Sequence, residues 1–172
     1  MKAARSELAA LVSCHSFGVA IPTRTVARLF LPEQVTAGEL AGDAALLGTI
    51  EAGERVCAAW DLGRLLGLSP LASSWVVLDV ADEQGTLPVA LRAGPCAMVA
   101  EVGHEAPLPA RIFERRGEAF PSAFARTTRG DALPAQLGLF GLWLEPARLF
   151  TREERAASRS AIKRAEREQV RR

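Results

Sequence analysis

The sequence predicts an all-β fold, a barrel or sandwich, with a single charged helix at its C-terminal end. Short apolar segments recur at nearly regular intervals, separated by Gly, Pro, Ser and Asp. Residues 75–80 (WVVLDV) form a nearly continuous β-branched run, as a buried strand does. Residues 151–172 lack Gly and Pro and open on Thr151-Arg152-Glu153-Glu154, a capping box in which the first hydroxyl and the last carboxylate satisfy each other's backbone N–H.

The elements follow in order. Residues 8–13 and 17–21 flank Cys14-His15-Ser16 and read as a first hairpin. Residues 23–31 (TRTVARLFL) place Val26, Leu29 and Phe30 at helical spacing, yet suit a strand from Ala27 onward; both readings stay open. A loop is expected over 32–43. Residues 48–62 (GTIEAGERVCAAWDL) predict a hairpin turning at Glu51-Ala52-Gly53-Glu54, and its second strand runs into a helical turn with Asp61 as N-cap and Gly67 as stop. Residues 75–80 and 87–91 are paired strands around the turn Asp82-Glu83-Gln84-Gly85. Ala93-Gly94-Pro95 turns the chain into a strand over 96–102. Residues 103–136, with Pro107, Pro109, Pro121 and Pro134, read as loops around one or two short strands. Residues 137–144 (LGLFGLWL) read as a last apolar strand, followed by a short helix over 145–150. In the final helix the apolar positions Ala156, Ala157, Ala161, Ile162 and Ala165 form a thin, mostly alanine stripe. Such a stripe buries little, so the helix is expected to be exposed and weakly docked.

Composition narrows the function. With 49% hydrophobic and 24% charged residues the chain is an ordinary globular one. Its net charge of +1 creates no overall field toward nucleic acid or membrane. The charge is uneven: residues 151–172 hold eight basic residues against four acids, so the tail carries +4 and the body −3. No apolar run reaches the roughly 20 residues of a membrane helix. Leu11-Val12-Ser13-Cys14 resembles a lipoprotein cleavage box, with Lys2 and Arg5 ahead of it. Glu7, however, cuts its apolar approach below the roughly 7–15 residues that a signal peptide needs. Cys14, Cys57 and Cys96 are odd in number, widely spaced and set in apolar runs. They read as reduced core thiols of a cytoplasmic protein, without disulfide or zinc.

Enzymes need a constellation, and none is visible. His15 adjoins Cys14, and successive residues of a strand point to opposite faces, so the two do not form a nucleophile–base pair. His104 lies in a turn-like VGHEAP stretch and reads as exposed. GxSxG, HExxH, a phosphate-binding loop and a dinucleotide fingerprint are missing. No catalytic residue, metal or cofactor is expected. Elimination leaves a β domain that works by binding other proteins.

The order of segments resembles the CheW-like domain, the adaptor fold of bacterial chemosensory systems, over about residues 8–150. Phe17-Gly18-Val19-Ala20-Ile21-Pro22 is similar to that family's second strand, and TRTVARLF occupies the place of its V-x-E-I segment. The stretch from Gly48 falls without a gap on G-x-I-N-L-R-G-x-x-x-P-x-x-D-L, matching at Gly48, Ile50, Asp61 and Leu62, with Gly67 where the family has its LG. Residues 75–80, 87–91 and 142–150 are similar to its strand pair and its terminal strand with D-x-x-x-L-L ending. The resemblance implies two SH3-like five-stranded β-barrels around a shared core over 1–150, with the charged helix over 151–172 beside them. It implies a non-catalytic signal-transduction scaffold in the cytoplasm, at membrane-associated arrays, without membrane insertion. That scaffold bridges a methyl-accepting chemoreceptor and a CheA-type histidine kinase of a two-component motility pathway, or a diverged pathway-specific partner.

The departures locate the expected site. The family's N-L-R-G turn is here Glu51-Ala52-Gly53-Glu54, so its arginine is Gly53 and its glycine Glu54. The strand proline is Ala58, and the aspartate of V-D-x-V is Arg92. Since the family's turn arginine is implicated in receptor or kinase contacts, Glu51, Ala52, Gly53, Glu54 and Arg55 are the expected partner-binding residues. The acidic tip would repel the usual acidic partner; alternatively it is a tolerant exposed loop and binding uses apolar strand edges. Arg155, Arg159, Lys163 and Arg167 offer a second interaction surface on the tail. An alternative function, a nucleic-acid- or ligand-binding barrel, would use that basic helix, although nucleic acid is not the expected partner because the cations are interleaved with acids and lack aromatics.

Overall fold

The computed structural model describes residues 5–30, 32–37, 44–71, 73–109, 112–113 and 116–172. Lys2 and the part of the expected 32–43 loop from residue 38 onward lie outside them.

The strands are β1 (Ser6–Cys14), β2 (Phe17–Pro22), β3 (Val26–Phe30), β4 (Thr36–Ala37), β5 (Leu46–Ala52), β6 (Arg55–Asp61), β7 (Ser74–Asp82), β8 (Gly85–Ala93), β9 (Cys96–Gly103), β10 (Ala106–Pro107), β11 (Ser122–Phe124) and β12 (Gly141–Trp143). A one-turn helix α1 (Leu62–Leu65) follows β6, and α2 (Arg152–Val170) ends the chain. The fold is all-β with one long C-terminal helix, as the segment spacing predicts.

Two six-stranded sheets carry the molecule, in the orders β10-β11-β12-β2-β1-β9 and β3-β7-β8-β6-β5-β4. They repeat one pattern. Three consecutive strands (β4-β5-β6 or β10-β11-β12) lie beside a hairpin (β7-β8 or β1-β2), and the junction is parallel in both, β6 with β8 and β12 with β2. The sixth strand, β3 or β9, flanks the hairpin. In the second sheet the hairpin comes last in the chain; in the first it comes at the start, so that the second sheet is inserted between β2 and β9. The five strands expected per barrel become six by the two-residue strands β4 and β10.

Alternation along the strands sorts the core into three parts. Ala9, Leu11, Ala20, Phe124 and Trp143 fill the interior of the first sheet, and Phe30, Leu47, Ile50, Trp75 and Val77 that of the second. Between them lies a shared core of Val12, Val19, Ile21, Trp60, Leu78, Leu91 and Phe120. Trp75 and Val77 therefore face one cluster while Val76 and Leu78 face the other. Both faces of β7 are buried, which is why its sequence runs apolar without alternation.

Several expectations are sharpened. After a 3-10 turn over Thr23–Thr25, residues 26–30 are strand β3, which resolves the ambiguity there. The strand expected over 137–144 is confined to 141–143: a 3-10 turn, Ala135–Leu137, precedes it, and Gly138 sits at φ +73°, where an extended strand cannot continue. The helix expected over 145–150 is a 3-10 turn, Pro146–Arg148.

The expectation of a weakly docked tail fails. Ser158 is fully buried and Ile162 joins the shared core. The inner line of α2 is Glu154, Ser158, Ile162, Ala165 and Gln169, whereas Ala156 and Ala157 face solvent. Polar side chains on that line reach specific partners, which a count of apolar residues does not register. The indole N–H of Trp60 donates to Ser158 Oγ at 2.9 Å, and Ser158 Oγ donates to the Glu154 carbonyl at 2.8 Å. Phe150 packs against Trp60 with ring centroids 5.3 Å apart. The capping box is present, Thr151 Oγ1 accepting from Glu154 N and Glu154 from Thr151 N.

Candidate interaction surface

The hairpin β5–β6 pairs Ala52 with Arg55 across a two-residue turn of Gly53 and Glu54. Gly53 takes φ +67°, which a side chain would resist. Its surroundings are open, with nothing near the position of an added Cβ. Glu51 and Ala52 are separated by the pleat: Glu51 is exposed, while Ala52 is buried in the second sheet's interior. Ala52 is thus a core residue at the root of the tip.

The charges at the tip differ in availability. Arg55 Nη2 donates to Asp79 Oδ1 of β7 at 2.6 Å, so its charge is matched on the surface. Glu51 Oε1 accepts from Gln169 Nε2 of α2 at 2.6 Å, which links the tip to the end of the C-terminal helix. Beside that link a cavity of about 210 Å³ opens between the hairpin and the helix, lined by Thr49, Ile50, Glu51, Val56, Ala165 and Gln169 among others. Glu54 is exposed and forms no ion pair among the described residues. The tip is acidic in effect as well as in sequence.

At the other end of β6, Asp61 is the N-cap of α1. Its Oδ1 accepts from Arg64 N at 3.0 Å, and its Oδ2 accepts from Leu71 N at 3.0 Å and from Arg92 Nε at 2.9 Å. The side chain is fully buried. Arg92, the residue that departs from the family's aspartate, is the partner of this carboxylate and lies against the Trp75 ring, 5.8 Å from its centroid.

The tail's cations divide. Arg159 is ion-paired with Asp82, and Arg155 donates to the Ala147 carbonyl. Lys163 and Arg167 are exposed. Sequence reasoning passed over Arg116, the residue that joins these parts. Held at φ +67°, it donates from Nε to the Leu65 carbonyl at 2.7 Å, from Nη1 to the Leu149 carbonyl at 2.7 Å, and bidentately to the Glu154 carboxylate. One guanidinium thereby ties the end of α1, the approach to α2 and the first turn of α2 together. Its only mark in the sequence is an arginine preceding a glycine.

Two of the cysteines and both histidines are engaged by the fold. Burial pushes the Cys14 thiol up to about 12 and the Cys57 thiol up to about 11, far from thiolate chemistry at neutral pH. His15 is in the β1–β2 turn with φ +53°, and its Nε2 is 2.8 Å from the Ser69 carbonyl oxygen. His15 is exposed and lies in the turn rather than in a strand, whereas Cys14 is buried in the shared core. His104 is half-buried rather than exposed: its Nδ1 is 2.6 Å from Ser122 Oγ and its ring lies 4.5 Å from that of Trp143. Burial lowers its pKa, and nearby Arg5 adds to that against the opposing pull of Glu145. Among the described residues no three His, Cys, Asp or Glu side chains gather as a metal site, and no helix is long and apolar enough to cross a membrane.

Among solved structures the molecule is similar to the scaffolding protein TtCheW from Thermoanaerobacter tengcongensis, with a TM-score of 0.60 over 85% of this chain and 93% of that one. The fold is that of a CheW scaffolding protein. At 12% identity the likeness is one of fold. No family model matches the sequence, and no curated protein matches it.

Proposed function

We propose that this protein is a non-catalytic adaptor of a bacterial chemosensory signalling system, working in the cytoplasm at membrane-associated arrays. It joins a methyl-accepting chemoreceptor and a CheA-type histidine kinase, or a diverged partner of either. The observation that carries this reading is the fold likeness to a scaffolding protein, which runs through nearly the whole of both chains. The buried thiols and the structurally engaged histidines support a role without catalysis.

The exposed residues of the β5–β6 tip, Glu51, Gly53, Glu54 and Arg55, are the proposed recognition surface, with Ala52 anchoring them from the core. Charge at an interface rim sets partner choice and on-rate more than affinity. With Arg55 neutralised by Asp79 and Glu54 free, the tip selects a basic partner surface and disfavours an acidic one. Co-purification with a CheA-type kinase and with a receptor signalling tip tests the proposal. Retention of either supports it. Failure of both, with capture of a partner from outside chemosensory signalling, removes it.

A further inference from the structure

Docking fixes the rotation of α2. Ser158 and Ile162 point into the body, while Glu154–Arg116 and Arg159–Asp82 hold the helix from two sides. Its outward line is consequently determined: Ala157, Ser160, Arg164, Arg167 and Arg171, with Lys163 alongside, all exposed. The spacing alternates three and four residues, so these side chains form a straight ridge that climbs about 10 Å from Arg164 to Arg171. The side chains of Ser160, Lys163, Arg164, Arg167, Glu168 and Arg171 enclose an open space of about 490 Å³ on this face of the helix.

None of these four cations has an ion-pair partner among the described residues, whereas Arg55, Arg92, Arg116 and Arg159 all have one. Lys163 with Arg167, Arg167 with Arg171, and Arg164 with Arg167 are like-charged pairs at helical contact spacing, which repel. Glu166 and Glu168 flank the ridge without closing a pair onto it. From Ser160 onward five basic residues stand against two acids, an excess of +3.

We propose that this ridge docks an acidic helical segment of a partner protein. Carboxylates at three- and four-residue spacing on such a helix match the row Arg164, Arg167, Arg171 in length and direction. The small side chains of Ala157 and Ser160 let its axis come close where the cations end. A lipid surface fits less well, because Val170 is the sole large apolar side chain that α2 exposes. Nucleic acid fits less well because α2 has no aromatic side chain for stacking and carries acids beside the ridge. The ridge is distinct from the hairpin tip, so this inference stands or falls independently of the adaptor reading.

The test uses the full chain and a fluorescently labelled helical peptide with glutamates at positions 1, 4 and 5 of each of three heptads. Anisotropy titrations at low salt should show binding, weakened about tenfold or more by Arg164→Glu with Arg167→Glu. The same charge change made at Arg129→Glu with Arg152→Glu should leave affinity within about twofold. Both pairs of positions are exposed, and an unchanged melting temperature verifies the fold of each variant. Absence of peptide binding, or equal weakening by both variants, overturns the proposal. So does binding of duplex DNA or phosphatidylserine vesicles in place of the peptide.

Discussion

Asp61 and Arg92 stand opposite one another on the parallel strands β6 and β8, joined by a 2.9 Å hydrogen bond from Nε to Oδ2. The carboxylate is wholly buried and the guanidinium largely so. Two backbone N–H groups, of Arg64 and Leu71, complete the carboxylate's shell and attach α1 and the segment after it to the sheet. The aspartate that heads the family-like D-L pair is therefore a structural hub, and the departure at Arg92 supplies its counter-charge.

Removing Arg92 should leave a buried carboxylate without its cation. Arg92→Met is expected to cost about 3 kcal/mol, near the lower end for breaking a buried pair because the guanidinium reaches solvent. Urea denaturation monitored by tryptophan fluorescence measures it. A loss below about 0.5 kcal/mol would mean that solvent, rather than Arg92, balances Asp61.

The docked helix makes a prediction opposite to that of its alanine-rich composition. Ser158→Ala leaves the buried Trp60 N–H without an acceptor and should cost about 1–3 kcal/mol. Ending the chain after Phe150 removes that acceptor, the Ile162 contact and the Arg116–Glu154 pair together, and should lower the melting temperature by more than the point variant does. Equal melting temperatures for the truncated and full chains would show that α2 contributes nothing to the body.

The difference between what the sequence reveals and what it hides is one of range. The hairpin over 46–61, the Asp61 cap, the β7–β8 pair and the capping box at Thr151 are legible because each is dictated within a few residues by turn glycines, cap geometry or β-branched runs. Trp60 and Ser158 lie 98 residues apart, and nothing local distinguishes Ser158 from a solvated serine in a charged helix. Arg116 is silent for the same reason, since its acceptors Leu65, Leu149 and Glu154 converge only in the folded chain. The candidate site divides likewise. The tip's position and its acids are written locally, but the neutralisation of Arg55 by Asp79 and the division of the tail's cations into inward and outward sets depend on packing.

Acid should loosen the attachment of the helix to the body. Burial alone would raise the Glu154 carboxyl, yet hydrogen bonds from Arg116 and from Thr151 N outweigh it and hold the group below the usual carboxylate range. The hydrogen bond from Arg159 holds Asp82 below that range as well. A carboxylate with a depressed folded pKa contributes stability that is present above its unfolded value and lost as pH falls through the folded one. The decline therefore belongs below about pH 4.5. Glu154→Gln keeps a capping-box side chain but cannot titrate. Its melting temperature should be lower than that of the wild type at pH 7, with the gap closing as pH falls toward 3. A gap that stays constant across that range would exclude the ion pair as its source.

The turn offers the most direct link between backbone and recognition. Gly53→Arg alone forces a side chain into φ +67° and should cost about 1 kcal/mol, although nothing nearby obstructs it. Moving the glycine to the second turn position, Gly53→Arg with Glu54→Gly, permits a turn that places its positive φ there and should recover only part of that loss, because such a turn matches the twist of the flanking strands less well. Thermal melts of the two variants separate the backbone cost from the charge effect. The double variant also replaces the free carboxylate of Glu54 and adds a cation, so the tip changes from acidic to near neutral while the hairpin persists. If the tip is the recognition surface, affinity for an acidic partner should rise and the on-rate should become less sensitive to salt, since neutralising the tip removes the repulsion that salt screens. An unchanged on-rate in a folded double variant would place recognition elsewhere on the molecule.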